Sequence, residues 1–359
     1  MKTIRLQIHF CFYILFFFII SDLSFAQSKS NLINKLVQSY YNQGKFIGSV
    51  LVADSNRIIF NKGFGYANAE LKVKNSPSTK FRIASMTKAF TAVLVLQFVE
   101  EGKMHLDSTV SVYLPNYPKE NSSRITIRQI LSHTAGIPHY QSMPDFFYFN
   151  SFLPYKHDEF LKLFWDRELL FEPGTDFSYS SFGYYLLGFI LETISGKSYS
   201  QLIEVRIFDK LKMNNTSVDN HKTILSNRAS GYEKINNELV NANYRNMSTA
   251  LATGDLISTV GDLYLWDRAL YKNALLSAES KALLFRPNLN NYGFGWYNKN
   301  VAVPEKDSVR AIYHTGSTNG FRSIIYRLVD KKAVIIILCN LDSSDIYGLS
   351  DAIKNILCR

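Results

Sequence analysis

Hydrophobic positions fall into strand-like runs at the two ends of the chain and helix-like runs between them. Asn31 to Tyr41 has the spacing of an amphipathic helix, which Gly44 would end. Ile47 to Ala53 and Arg57 to Phe64 then read as strands joined by a turn at Asp54-Ser55-Asn56. Ser85 to Glu101 is the strongest element, closed by Gly102 in the usual C-cap place. Its body, Phe90-Thr91-Ala92-Val93-Leu94-Val95-Leu96, is apolar nearly all round, which marks a helix buried at the centre of a domain. From about Ile125 to Leu283 the pattern is mostly helical with long loops. Strands return at Ala311 to His314, Phe321 to Leu328 and Ala333 to Leu338, with Asp330-Lys331-Lys332 turning between the last two. Ser343 to Leu357 reads as a closing helix.

Strands at both ends with helices between predict an α+β arrangement, one antiparallel sheet assembled from both ends with an inserted helical domain. The sheet lobe would take residues 30–70 and 290–359, and the helical lobe 71–289. A cleft between two such lobes is a natural place for a site. One loop stands out, because Asp145-Phe146-Phe147-Tyr148-Phe149-Asn150-Ser151-Phe152-Leu153-Pro154-Tyr155 is crowded with aromatics. It reads either as a satellite core under the loop or as an apolar wall of a substrate pocket.

The N-terminus carries an address. Lys2 and Arg5 precede the apolar run Phe10 to Ile20, and Ser24-Phe25-Ala26 supplies small residues at a peptidase site before Gln27. That is the layout of a secretory signal peptide over residues 1–26, and the run is shorter than the roughly 20 apolar residues a membrane span needs. The expected location is periplasmic or secreted, with no stable membrane anchor after cleavage.

Composition narrows the chemistry. At 359 residues, 47% hydrophobic and 19% charged, the chain can bury a core without a disulfide or metal. Mean hydropathy of −0.07 excludes a polytopic membrane protein. The net charge of +10 comes from scattered Lys and Arg and carries no nucleic-acid motif, so no nucleic-acid partner is expected. Cys11, Cys339 and Cys358 form no Cys-x-x-Cys pair, and the seven histidines form no His-Glu-x-x-His. Neither a metal nor another cofactor is expected. Cys339 reads as a buried free thiol, although an exported protein could pair it with Cys358.

Ser85-Met86-Thr87-Lys88 opens the buried helix. Positions three apart share a helix face, about 5–6 Å between Cβ atoms, so the Lys88 amine can reach the Ser85 hydroxyl. A serine hydroxyl needs an adjacent base to act as a nucleophile. Desolvation and a helix N-terminus both disfavour charged Lys, which makes the amine a usable base. On its own the motif reads equally as a capping Ser with a solvated Lys. Further on, Phe171-Glu172-Pro173-Gly174-Thr175-Asp176-Phe177-Ser178-Tyr179-Ser180-Ser181 is a Pro-Gly turn and Ser-rich loop entering a helix, and His314-Thr315-Gly316-Ser317 is a strand end with a Gly turn.

In this order and spacing the three segments resemble the serine β-lactamase and penicillin-binding-protein superfamily, which carries Ser-x-x-Lys, then Tyr-x-Asn or Ser-x-Asn, then Lys-Thr-Gly. The resemblance covers essentially the whole chain after residue 26. It extends to Leu131-Ser132-His133-Thr134-Ala135-Gly136-Ile137-Pro138, Gly254-Asp255-Leu256 and Tyr292-Gly293-Phe294-Gly295-Trp296. It is nearest the class C β-lactamase, D-aminopeptidase and esterase branch, and it implies a β-lactamase/transpeptidase-like α+β fold. The resemblance makes Ser85 the acylated nucleophile, Lys88 its base and Tyr179 the proton relay. The backbone N–H groups of Ser85 and Ser317 would form the oxyanion hole, and His133 would fix a loop.

Two positions depart from the family pattern. Ser181 stands for the Asn of Tyr-x-Asn, and His314 for the Lys of Lys-Thr-Gly. With Thr315 and Gly316, they are the implied substrate-binding residues. A histidine with a reference pKa near 6.5 would be mostly neutral at neutral pH and would gain charge toward pH 6, favouring anionic substrates there. β-Lactams and D-Ala-ended peptides present a carboxylate, so both departures favour an ester, amide or other peptide bond. The implied substrates are small molecules or peptides, peptidoglycan-derived ones included. A true β-lactamase or DD-peptidase is the alternative. A non-catalytic relative that binds cell-wall peptide or a partner protein is the alternative of another class, and it has no need of Ser85, Lys88 and Tyr179 together. Gly-x-Ser-x-Gly, the mark of an α/β-hydrolase, is absent.

Overall fold

The structure, a computed structural model, describes residues 28–303 and 306–359. The signal-peptide segment 1–26 lies outside the described residues. Helix α1 spans 28–42, and Gly44 follows at φ 66°. Strands β1 (Gly48–Asp54) and β2 (Arg57–Phe64) come next, then helix α2 (Thr87–Glu100). The middle of the chain contributes α3 (Ser181–Ser195) and α4 (Val260–Ala269). Strands β3 (Tyr297–Val303), β4 (Lys306–Thr318), β5 (Phe321–Leu328) and β6 (Ala333–Cys339) lead to α5 (Ile346–Leu357).

The sheet runs β3-β4-β5-β6-β1-β2. Its chain-end strands meet at β6 and β1, antiparallel, with Gly48 opposite Cys339 and Val52 opposite Ile335. Both faces of β6 are covered, which is why Ala333-Val334-Ile335-Ile336-Ile337-Leu338-Cys339 is buried throughout rather than alternating. Ile335 and Ile337 pack under α1 and α5 with Val37, Val50 and Leu349. Ile336 and Leu338 face the other way, toward α2 and α4. Helix α2 is buried from Thr87 to Phe98, and Phe90 stacks on Trp266 of α4 at 4.0 Å. This is the α+β arrangement expected of the sequence.

Three local features differ from the pattern reading. The buried helix begins as a 3-10 turn, Ala84–Met86, before α2 proper. The strand expected over Ala311 to His314 is part of a longer β4, and its edge neighbour β3 was not anticipated because it carries Asn298, Lys299 and Asn300. Within the helical region Tyr232–Ile235 and Glu238–Asn241 form a hairpin around Asn236 and Asn237, both at positive φ. An Asn pair tolerates that conformation, and it was the available signal. Among the described residues no helix is long and apolar enough to cross a membrane. Cys339 and Cys358 are both buried free thiols, and burial pushes the Cys339 thiol up to about 12.

Candidate active site

The turn that starts α2 is held in an uncommon shape. Ala84, one residue before Ser85, has φ 47°, a left-handed conformation that a non-glycine residue adopts only when its surroundings hold it there. Strands β5 and β4 supply the clamp. Ser323 Oγ donates to Ile83 O at 2.8 Å, and a Cβ on Gly316 would lie 2.1 Å from that same carbonyl oxygen. Gly316 is therefore a steric requirement for β4 to run this close to the turn. From the other side, Gly295 (φ 76°) lets its segment approach Lys88 O to 2.8 Å of its absent Cβ.

Ser85, Tyr179, Ser181, His314, Thr315 and Ser317 line one cleft of about 610 Å³. Lys88 lies beneath it, fully buried. Its Nζ stands 3.1 Å from Ser85 Oγ, 3.2 Å from Ser181 Oγ and 2.9 Å from Thr253 O. It also sits 5.0 Å from the centre of the Tyr179 ring. Burial, helped by the positive charge of Arg245, holds the amine well below the usual lysine range. A neutral amine has two N–H donors and one lone pair. Ser181 Oγ and Thr253 O can take the two donors, which leaves the lone pair for the Ser85 hydroxyl proton. Tyr179 hydrogen-bonds Ser85, and burial raises its phenol well above the ordinary value, so it is a proton-bearing group rather than a phenolate.

The helix N-terminus at Ser181 is fixed by two histidines. Ser180 caps α3 by accepting from Gly183 N–H at 3.2 Å, and its own N–H donates to His133 Nδ1 at 3.2 Å. His133 is packed among Tyr179, Tyr184 and Tyr292 at 4.3, 5.1 and 4.7 Å between ring centres. Its ring is therefore a loop fixture. His139 accepts from Ser181 N–H at 3.1 Å and lines the cleft, with its pKa pushed down to about 4 by burial and by Lys88.

His314 behaves differently from the sequence expectation. Nδ1 lies 2.7 Å from Thr315 O and Nε2 lies 3.0 Å from the Tyr292 hydroxyl, so protein groups occupy both nitrogens. Complete burial, reinforced by Lys88, lowers its pKa to about 3. The expected gain of charge toward pH 6 is thus overturned: at that pH the ring stays neutral.

The aromatic loop divides between core and cleft. Phe146 is buried and stacks on Tyr140 at 4.5 Å, while Phe147 and Tyr148 line the cleft and are exposed. His139 and Arg245 also line it, and neither was singled out from the sequence. His139 follows Gly136-Ile137-Pro138 in an irregular segment, and Arg245 sits in Tyr244-Arg245-Asn246, which matches no motif.

Fold and cleft together define a β-lactamase/transpeptidase-fold protein with a serine–lysine pair at the mouth of a buried helix. The chain belongs to the beta-lactamase family, whose model matches residues 33–355. It is 30% identical over 344 residues to penicillin-binding protein 4* of Bacillus subtilis (strain 168), covering 89% of this chain and 74% of that protein. It is 28% identical to protein flp of Staphylococcus aureus (strain N315), covering 87% of this chain and 63% of that longer protein. Among solved structures, a penicillin binding protein from Bacillus halodurans superposes with a TM-score of 0.77 at 25% identity, covering 90% of this chain and 99% of that one.

Proposed function

We propose that the chain is an exported serine hydrolase that works through an acyl-enzyme on Ser85 and cleaves an ester, amide or cell-wall-type peptide bond. The observation that carries this reading is the Lys88 amine, fully buried and depressed in pKa, 3.1 Å from Ser85 Oγ. Lys88 takes the Ser85 proton as Oγ attacks the substrate carbonyl carbon. The backbone N–H groups of Ser85 and Ser317 receive the developing oxyanion, each such donor typically worth about 10²–10³ in rate. Tyr179 passes a proton to the leaving group, and the tetrahedral intermediate collapses to the acyl-enzyme. In the second half the same groups take a proton from water as its oxygen attacks the acyl carbonyl carbon, and they return a proton to Ser85 Oγ as the Oγ–C bond breaks and the acid leaves.

Esters and amides are preferred over β-lactams because the position that carries Lys in the family motif is here a neutral, doubly hydrogen-bonded His314. Ser181 is shorter than the family's Asn, and its hydroxyl is engaged by Lys88. The test is intact-protein mass spectrometry after exposure to a fluorophosphonate, a penicillin and a short-chain ester. A fluorophosphonate adduct on Ser85, with turnover of the ester and little of the penicillin, is expected. Turnover by Ser85→Ala would overturn the assignment. Export rests on the pattern at Lys2, Arg5, Phe10 to Ile20 and Ala26, and a mature protein that retains Met1 would overturn that part.

A further inference from the structure

Resting on the hydrolase reading above, we infer that Arg245 is the anion receptor of the cleft, holding a carboxylate of the substrate on the aromatic-loop side. The family motif would present its cation from strand β4, and the structure has a neutral ring there. Arg245 offers a positive charge from elsewhere. It is only 6% exposed, yet it lines the cleft.

A buried guanidinium is expensive unless it is paired. Among the described residues no carboxylate pairs with Arg245. Its Nε donates to Thr249 Oγ1 and its Nη2 to Thr249 O, both at 3.3 Å, and Nη1 has no hydrogen-bond partner among the described residues. The remaining compensation is aromatic, from Tyr140 and Phe146 with ring centres 5.1 and 5.9 Å away. A guanidinium with an unused N–H, oriented by packing and bordering a cleft, is suited to a carboxylate.

The other groups of the cleft leave this role to Arg245. Lys88, His139 and His314 are held neutral by burial. Arg322 also lines the cleft, but its Nε donates to Asp342 O at 2.6 Å and Asp342 itself is a lining residue. Phe147 and Tyr148 stand exposed on the loop whose Phe146 packs against Arg245. The fitting substrate joins a carboxylate to an apolar stretch, with the scissile carbonyl at Ser85. This moves the anion away from the β4 strand, so the carboxylate is placed differently from one that reaches position 314.

The experiment compares two esters of one leaving group, 4-nitrophenyl butyrate and the 4-nitrophenyl half-ester of glutarate. The readout is the ratio of their kcat/KM values, because any shift in Lys88 basicity acts on both. Arg245→Gln should lower the glutarate-to-butyrate ratio about 10–100-fold, the range for a hydrogen bond to a charged group, and Arg245→Lys should recover part of it. In the unmodified protein, glutarate should inhibit butyrate-ester hydrolysis competitively while glutaramide at equal concentration does not, a result independent of how the variants fold. An unchanged ratio in Arg245→Gln, or equal inhibition by acid and amide, would overturn the inference. If the protein hydrolyses neither ester and takes no fluorophosphonate on Ser85, the hydrolase reading itself fails, which is a separate outcome.

Discussion

Gly316 lies against Ile83 so closely that a methyl group there would sit 2.1 Å from the Ile83 carbonyl oxygen. The contact joins the strand carrying His314-Thr315 to the turn presenting Ser85, and it fixes the distance between the two halves of the cleft. Gly316→Ala must push the strand off the turn. Fluorophosphonate labelling and ester turnover should fall by at least about 10²-fold, the cost typical of one misplaced oxyanion donor. A variant with wild-type labelling rates would show that the strand has no part in the site.

The base should reveal itself in the pH profile. Lys88 is depressed by burial first and by Arg245 second, so the ascending limb of kcat/KM for the butyrate ester should lie well below the ordinary lysine range. Arg245→Gln removes a nearby positive charge and should move that limb to higher pH. Lys88→Met should leave less than about 1% of turnover, in line with the 10²–10⁴-fold typical of general acid–base catalysis. A limb that does not move in Arg245→Gln would separate the two charges electrostatically.

Asp255 is the buried acid next to the Gly254 backbone at the cleft, and burial raises its pKa to about 7. Its Oδ2 accepts from Ala252 N–H at 3.1 Å, while Oδ1 has no hydrogen-bond partner among the described residues. A carboxyl raised in the fold is protonated more readily there than in the unfolded chain. Its stabilising effect is full below the unfolded value near 3.9 and is lost as pH rises through 7. The loss amounts to at most about 4 kcal/mol. Urea unfolding of Asp255→Asn against wild type should show a difference that grows in favour of the variant from pH 4 to pH 7 and is flat above about pH 8. The histidines with lowered values act in the opposite direction but cancel in this comparison. A difference independent of pH would mean that Asp255 ionises normally.

Asp267 carries a structural load in the interior. Its Oδ1 accepts from Arg327 Nε at 2.6 Å and its Oδ2 from Arg268 Nε at 2.7 Å. Arg327 is 2% exposed and lies over the Tyr271 ring. Asp267→Asn strands a buried guanidinium and should cost about 3–5 kcal/mol in urea unfolding. A loss below 1 kcal/mol would show that the aromatic neighbours alone hold Arg327.

The sheet was legible where burial on both faces writes a continuous apolar run, as in Ala333 to Leu338. It was not legible at Tyr297–Val303, an edge strand with solvated Asn and Lys. The spacing of Ser85 and Lys88 on one helix face was legible, while Tyr179 was reached only through the family resemblance. The structure puts Ser85 and Tyr179 in one cleft with Lys88 beneath it. The state of His314 was not recoverable from its residue type. Its low pKa comes from complete burial first and from the lysine beneath the cleft second, against the opposing hydrogen bond to Thr315 O, and no local pattern records that burial. Arg245 was missed for a similar reason, since the rings of Tyr140 and Phe146 that shelter it come from a distant part of the chain.

Strand β6 sits between strands from opposite ends, opposite β1 on one edge and β5 on the other. The pairing of Gly48 with Cys339 closes a very long loop, and such closure is slow because its entropy is lost before the contacts form. Until Cys339 has emerged, Gly48–Asp54 has no inner neighbour, and β5, whose Ser323 clamps the Ser85 turn, lacks the strand that joins it to β1. The active centre is therefore a late product of synthesis, completed only when β6 joins the strands from the two ends.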